Sequence, residues 1–382
     1  MQTYIPKCFL AIKKLSSNRI LRRKKQKCDA IIKKINIDDN IQDNRTSGIP
    51  HNPFSVLLLD TLDCFGDAIF INGIIHELNK RIPKTQIIVA TNRKLASIYS
   101  TSRCKIIDIN EPLPLADIVI DLCYSDNALI DFRIDKLKSV KSFIITCSRL
   151  LANAKIFSAH FDFRKTKHFG ERTHQIASVV QKIVENKIQL SPSKNPINQF
   201  ESSEILFPYI PRSSTKGSID DYIYINTEGR TEDRNISPDQ LNFLANHLSQ
   251  HFPSLKAIVY SNNPDSIQVI KNHSQLSRAI TKNFLDACQL VEHSILTITP
   301  DTSIVHVASA YNVPVVALYC GNDLEYFREF STSEIWAPLS ESHISIKPPV
   351  FWVSQVPINR IPPAKITEAV DSLLTQLLNP NS

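Results

Sequence analysis

Short apolar runs alternate with helix-length amphipathic stretches along most of this chain. Val56-Leu57-Leu58-Leu59 is apolar at every position, the pattern of a strand buried on both faces rather than one that alternates between core and water. Beyond a polar turn, residues 68–81 place Ile71, Ile74, Ile75 and Leu78 at helical spacing and stop before Pro83. Apolar runs return at 86–90, 105–109, 117–122 and 142–146, and residues 170–185 read as a helix. A second alternation opens at Tyr222-Ile223-Tyr224-Ile225, followed by a loop over 226–234 and a helix over 239–251 that Ser237-Pro238 would start. Strands at 257–260 and 279–280 and a helix at 284–291 come next. Then a strand at 296–300, a helix from near Thr302 or Ser303, and a strand over 313–319 form one βαβ unit. After Tyr319 the pattern becomes irregular, with aromatics and prolines, until a last helix at 364–378.

Two such alternations in 382 residues predict two doubly wound α/β domains. Residues 53–189 form the first and 222–350 the second. Residues 190–221, rich in Pro, Ser, Asn and Lys, read as the linker between them, and 351–382 as a C-terminal segment ending in a helix.

Charge singles out the N-terminus. The chain carries a net +7, whereas residues 1–52 alone hold 12 basic and 4 acidic side chains. The folded body is therefore close to neutral. Between Lys13 and Lys34 the basic residues are interleaved with Ile20, Leu21, Ile31 and Ile32, a pattern suited to an anionic membrane surface. A solvated tail and a nucleic-acid arm use the same composition; of these partners the membrane surface is expected and nucleic acid is not. Eight single cysteines, with neither C-x-x-C pairs nor zinc spacing, fit a reduced compartment. No apolar run reaches 18 residues, and the N-terminus lacks a signal-peptide core, so a spanning or secreted protein is not expected.

Candidate chemistry gathers where strands end. Asp301 and Thr302 are both good N-cap residues, so the helix they open would point free N–H groups over the carboxyl end of the preceding strand, a place that suits phosphate. His306 lies one turn further on the same side, able to face a bound anion or to sit at the core edge. Asp67 falls near a helix N-terminus at the carboxyl end of the first strand, where its simplest role is a cap. Asn262-Asn263-Pro264-Asp265 follows another strand and could line a base or ribose pocket.

The six residues Asp301-Thr302-Ser303-Ile304-Val305-His306 resemble the Asp-Thr/Ser-Gly-x-x-His signature of the bacterial ADP-heptose lipopolysaccharide heptosyltransferases, glycosyltransferase family 9. Phe65-Gly66-Asp67 and Arg230-Thr231-Glu232-Asp233-Arg234 extend the resemblance, which spans roughly residues 54 to 325. It implies a GT-B fold, two Rossmann-like domains facing a central cleft, with the C-terminal helix crossing back to the first domain. It further implies an inverting transfer of a heptose or related sugar from a nucleotide diphosphate sugar, ADP-heptose in the family, to a lipopolysaccharide core or other glycan. The expected place is cytoplasmic, peripheral on the inner face of the bacterial inner membrane.

Carried over by residue, the resemblance makes Asp67 of the Gly66-Asp67 pair the general base, with Asp60 and Asp63 as competitors in the same loop. Arg234 stands where the family has lysine and takes the cationic role toward the leaving diphosphate, with Arg230 as a second contact. Asp301, Thr302, Ser303 and His306, with Gly66, would hold the donor, Asp301 through sugar hydroxyls or as a cap. Ser303 departs from the family's glycine by a Cβ and a hydroxyl beside the sugar diphosphate. No Asp-x-Asp motif is present, so neither a metal nor a cofactor is expected. A GT-B-like nucleotide-sugar isomerase and a non-catalytic nucleotide-sugar-binding protein are the alternatives that share this site.

Overall fold

The structure is a computed structural model. It describes residues 53–100, 102–123, 130–137, 140, 142–147, 157–161, 163, 166, 168–185, 204–212, 221–321, 331–349 and 356–378. The basic arm, residues 1–52, and most of the expected linker lie outside them. The described residues form two compact units that divide between Leu206 and Phe207, His168 and Phe169 grouping with the second.

In the first unit the elements run β1 (Ser55–Leu59), α1 (Phe65–Arg81), β2 (Gln86–Thr91), α2 (Ala96–Tyr99), β3 (Lys105–Asp108), β4 (Ile118–Asp121), α3 (Ile130–Leu137), β5 (Phe143–Thr146), β6 (Ala159–His160) and α4 (Phe169–Val184). Its six strands are parallel in the order β3-β2-β1-β4-β5-β6. Every residue of β1 and β4 is buried, which explains why Val56 to Leu59 and Ile118 to Ile120 are all apolar. Leu57, Leu59, Ile88, Val119 and Ile144 fill one core with Ile134 and Leu137 of α3. Arg133 and Asp121 form a buried, bidentate ion pair in this unit.

The second unit contains β7 (Tyr222–Asn226), α5 (Pro238–His251), β8 (Lys256–Tyr260), α6 (Pro264–Asn272), β9 (Leu276–Arg278), α7 (Phe284–Glu292), β10 (Leu296–Pro300), α8 (Ser303–Tyr311), β11 (Val315–Leu318), α9 (Thr332–Ile335), β12 (His343–Ile346) and α10 (Pro363–Leu378). Its order, β9-β8-β7-β10-β11-β12, repeats that of the first unit, again all parallel. Both sheets thus have the 3-2-1-4-5-6 order of a Rossmann fold, with the reversal of winding between β1 and β4 and between β7 and β10. Ligands in such sheets sit outside the carboxyl ends of the strands at that reversal.

Several elements differ from the sequence expectation. Strand β9 is Leu276–Arg278, not 279–280, and Ile280 is 88% exposed. Residues 262–265, after β8, open α6: the Asn263 side chain accepts from the N–H groups of Asp265 and Ser266, and Pro264 fills the first turn. The segment after Tyr319 contains α9 and β12. Ser237-Pro238 does open α5, through a capping box in which Ser237 and Gln240 exchange side-chain bonds. The C-terminal helix α10, expected to cross to the first domain, buries Ile366, Val370, Leu373 and Leu374 in the second unit's core beside Leu241, Leu244 and Leu248 of α5.

Candidate active site

In the second unit the reversal point brings the loop after β7 against the start of α8. Thr302 is the N-cap of α8, its hydroxyl accepting from the N–H of Ile304 at 3.2 Å. The N–H groups of the first turn therefore emerge at the carboxyl end of β10, where the positive end of the helix dipole favours an anion. Arg234 ends a short 3-10 turn, Glu232–Arg234, and its Nη1 donates to Asp301 Oδ2 at 3.1 Å, so a guanidinium stands beside that helix end. Arg230, in the same loop, is exposed. The loop can fold this tightly because residue 229 is glycine: a Cβ there would lie 2.4 Å from Arg234 Cβ and 2.8 Å from its carbonyl oxygen. The Gly229 N–H also donates to Asn235 Oδ1 at 2.7 Å.

His306 is placed differently from the expectation of an imidazole facing a bound anion. It is buried, packed 5.5 Å from the Trp336 ring, and burial together with nearby His168 lowers its pKa to about 3. It is a neutral imidazole at pH 7 and adds no positive charge to the site. Ser303 is the first residue of α8 and half-buried.

Three side chains that sequence reasoning passed over hold these pieces together. Asn226, buried at the end of β7, donates through Nδ2 to the Glu228 carbonyl at 3.1 Å, to Thr299 Oγ1 at 3.1 Å and to Thr302 Oγ1 at 3.3 Å. Thr299 shares a 3.1 Å contact with Thr302. Glu228 ties its loop to the turn after β8 through the backbone N–H of Asn262 and of Asn263 and the Asn262 side chain. An amide and hydroxyls at strand ends carry no local signature. The only available cue was that the two loops belong to the strands flanking a winding reversal.

In the first unit, the loop after β1 carries three carboxylates in three environments. Asp60 is buried and accepts from Tyr99 Oη at 2.7 Å, Thr91 Oγ1 at 3.0 Å and the Leu62 N–H at 3.1 Å. Burial outweighs these bonds and raises its pKa to about 6. Asp63 is exposed and paired with Lys94 at 2.5 Å. Asp67 follows Gly66 in the first turn of α1, half-buried, and is its third residue rather than its cap; the cap position is Cys64, which makes no side-chain cap bond. Asp60 thus fastens the loop to β2 and α2, Asp63 is neutralised at the surface, and Asp67 stands at a helix N-terminus. Among the described residues, no group of three or more His, Cys, Asp or Glu is arranged to hold a metal ion.

Residues 270–346, which include Asp301 to His306, match the profile of glycosyltransferase family 9 (heptosyltransferase). The similarity to that family lies in the second unit and includes the β10–α8 turn. The chain is 23% identical over 134 residues to a protein of Escherichia coli (strain K12) provisionally named lipopolysaccharide heptosyltransferase 4. That alignment spans 35% of this chain and 36% of the relative. Among solved structures, a family 9 glycosyltransferase from Veillonella parvula DSM 2008 is similar with a TM-score of 0.61 at 14% identity, covering 86% of this chain and all of that one. The ADP-heptose lps heptosyltransferase II of E. coli gives 0.60 at 16% identity, with coverage of 85% and 100%. The E. coli heptosyltransferase WaaC with ADP gives 0.59 at 11%, with coverage of 84% and 100%. These likenesses establish the two-Rossmann GT-B fold. The family 9 profile covers the α8 motif and neither Arg234 nor Asp67.

Proposed function

We propose that this protein is an inverting glycosyltransferase of the family 9 type, which moves a heptose or related sugar from a nucleotide diphosphate sugar, ADP-heptose, to a lipopolysaccharide core or related glycan. The observation that carries the reading is the Arg234 guanidinium held by Asp301 at the N-terminus of α8. A fixed cation and a helix N-terminus at one strand end stabilise a departing diphosphate.

In this reading Asp67 takes the proton from the acceptor hydroxyl. The acceptor oxygen forms its bond to the anomeric carbon as the bond from that carbon to the diphosphate oxygen breaks, and the electron pair leaves on the nucleoside diphosphate. Arg234 and the amides of Thr302 and Ser303 receive that charge. Asp301 both orients Arg234 and offers an acceptor to sugar hydroxyls. Ser303 places a Cβ and hydroxyl beside the sugar, which narrows the choice of donor. His306 backs the helix as a neutral group, and the exposed Arg230 meets the outer phosphate face. The basic arm would hold the enzyme peripherally on the inner face of the inner membrane; among the described residues no helix is long and apolar enough to cross a membrane.

The test is incubation with ADP-heptose, UDP-sugars and GDP-sugars, with and without lipopolysaccharide core acceptor, measuring released diphosphate. Release of ADP only when acceptor is present supports the assignment. Conversion of the donor without acceptor would show an isomerase, and binding without turnover a nucleotide-sugar-binding protein.

A further inference from the structure

The donor reading leaves unassigned the group that recognises the ribose of the nucleotide. In a Rossmann sheet a carboxylate at the end of the second strand accepts from the ribose hydroxyls. Here the second strand is β8, and the chain beyond it reads Ser261-Asn262-Asn263-Pro264, with no acid. Asp265 comes next, but it lies inside the first turn of α6.

A carboxylate nevertheless occupies that strand end. It belongs to Glu228, two residues past β7, whose Oε1 accepts from the backbone N–H groups of Asn262 and, at 3.2 Å, Asn263, and whose Oε2 accepts from Asn262 Nδ2 at 3.0 Å. The Ser261 hydroxyl lies 3.5 Å from Oε1. We propose that Glu228 binds the vicinal ribose hydroxyls of the nucleotide donor, an inference that rests on the donor reading above.

Three observations support it. An ionised carboxylate has about four acceptor positions. The bonds to Glu228 crowd Oε1, whereas Oε2 receives a single side-chain amide and has capacity for a hydroxyl. Glu228 is half-buried beside exposed Asn262 and Asn263, so a ligand reaches it. The two loops are also fastened without it, since both the N–H and the hydroxyl of Thr227 donate to the Tyr260 carbonyl at 3.0 Å. A purely structural clasp at Glu228 would be redundant.

The place fits the ligand as well. Asn226 Nδ2 donates both to the Glu228 carbonyl and to Thr302 Oγ1, so the Glu228 backbone is one amide away from the helix end that would take the diphosphate. A negative group so close to a diphosphate suits the neutral, hydroxyl-bearing part of the nucleotide and disfavours a further phosphate there.

The experiment is calorimetric titration of the full chain and its Glu228→Gln variant with ADP and with 2′,3′-dideoxy-ADP. For the unmodified chain, losing both hydroxyls should weaken binding about 10- to 100-fold, the scale of hydrogen bonds to a charged acceptor. In Glu228→Gln that difference should shrink to about threefold or less, ADP having lost most of its advantage. Equal affinity of the unmodified chain for the two ligands overturns the inference with no variant needed. So does a Glu228→Gln variant that weakens both ligands alike, which would make Glu228 a fastener of loops. If the unmodified chain binds no ADP at all, the donor reading and this inference fall together.

Discussion

Gly229 is the position at which a single methyl group tests whether Arg234 has to stand where it does. In Gly229→Ala the added Cβ would meet Arg234 Cβ at 2.4 Å, the Arg234 carbonyl oxygen at 2.8 Å and its carbonyl carbon at 3.1 Å. Carbon atoms rest about 3.5 to 4.0 Å apart, so the gap must open by more than about 1 Å. None of the three opposing atoms belongs to the movable end of a side chain, so no rotamer change relieves the contact and the backbone has to shift. Overpacking of this kind costs about 1 to 3 kcal/mol, offset by about 0.4 to 1 kcal/mol from the stiffer unfolded chain. The net loss of stability should be modest. The shift acts on a residue whose guanidinium meets Asp301 at 3.1 Å, and a displacement of that size removes the bond. Donor binding should then weaken by what one charge-assisted contact contributes, about 1.5 to 3 kcal/mol, or roughly 10- to 100-fold. Calorimetry with ADP on the parent, Gly229→Ala, Arg234→Ala and the double variant closes the cycle. In the Arg234→Ala background the methyl group should cost stability again but almost no further affinity. A Gly229→Ala protein that binds ADP like the parent would refute the claim that this loop's geometry sets donor affinity.

Arg234→Ala should lose the same 10- to 100-fold in ADP affinity and slow transfer, while Arg234→Lys keeps part of both; unchanged affinity in the alanine variant returns Arg234 to the status of a solvated loop charge. Asp67→Asn should retain donor affinity, lose about 0.3 to 1 kcal/mol from the helix N-terminus and drop turnover about 100- to 10,000-fold, and near-parental turnover would shift attention to Asp63 or Asp60. Asp60 is the pH-sensitive fastener: its folded pKa of about 6 exceeds its ordinary 3.8, so the folded state holds the extra proton between those values. The parent should therefore lose stability relative to Asp60→Asn as pH rises from about 4 to 6, and melting curves whose difference ignores pH would contradict the assignment. For the basic arm, co-sedimentation with anionic vesicles should be strong for the full chain at low salt and weak for a chain beginning at Pro53, each Lys or Arg contributing about 1 kcal/mol; equal binding by both removes the arm from the account.

The sheets were legible in the sequence where strands are central and obscure where they lie at edges. Burial of β1 and β4 on both faces leaves the apolar runs Val56 to Leu59 and Ile118 to Ile120, which cannot be mistaken for a loop. At the edge of the second sheet, β9 reads Leu276-Ser277-Arg278 with the last two exposed, so the apolar pair Ala279-Ile280 drew the assignment away from it. Strand β12 alternates exposed and half-buried positions amid prolines and aromatics and gives an equally weak signal. The candidate site divides in the same manner. Asp301 to His306 is contiguous and could be read directly, though helical spacing does not reveal that His306 is buried. Asn226 meets Thr302 across 76 positions, and no local pattern announces a contact of that range.

That sequence separation governs when the site can exist during folding. The β7 loop and the β10–α8 turn are brought together by parallel pairing of β7 with β10, although β8, β9 and their helices intervene in the chain. Contacts of this range pay their loop-closure entropy before they return any stability, and they dominate the barrier in parallel sheets. The Asn226–Thr302 and Arg234–Asp301 bonds should be among the late contacts, absent from any partly folded chain in which β7 to β9 have collapsed alone. Nucleotide binding would then act as a proofreader of folding, locking the unit only once β7 has paired with β10.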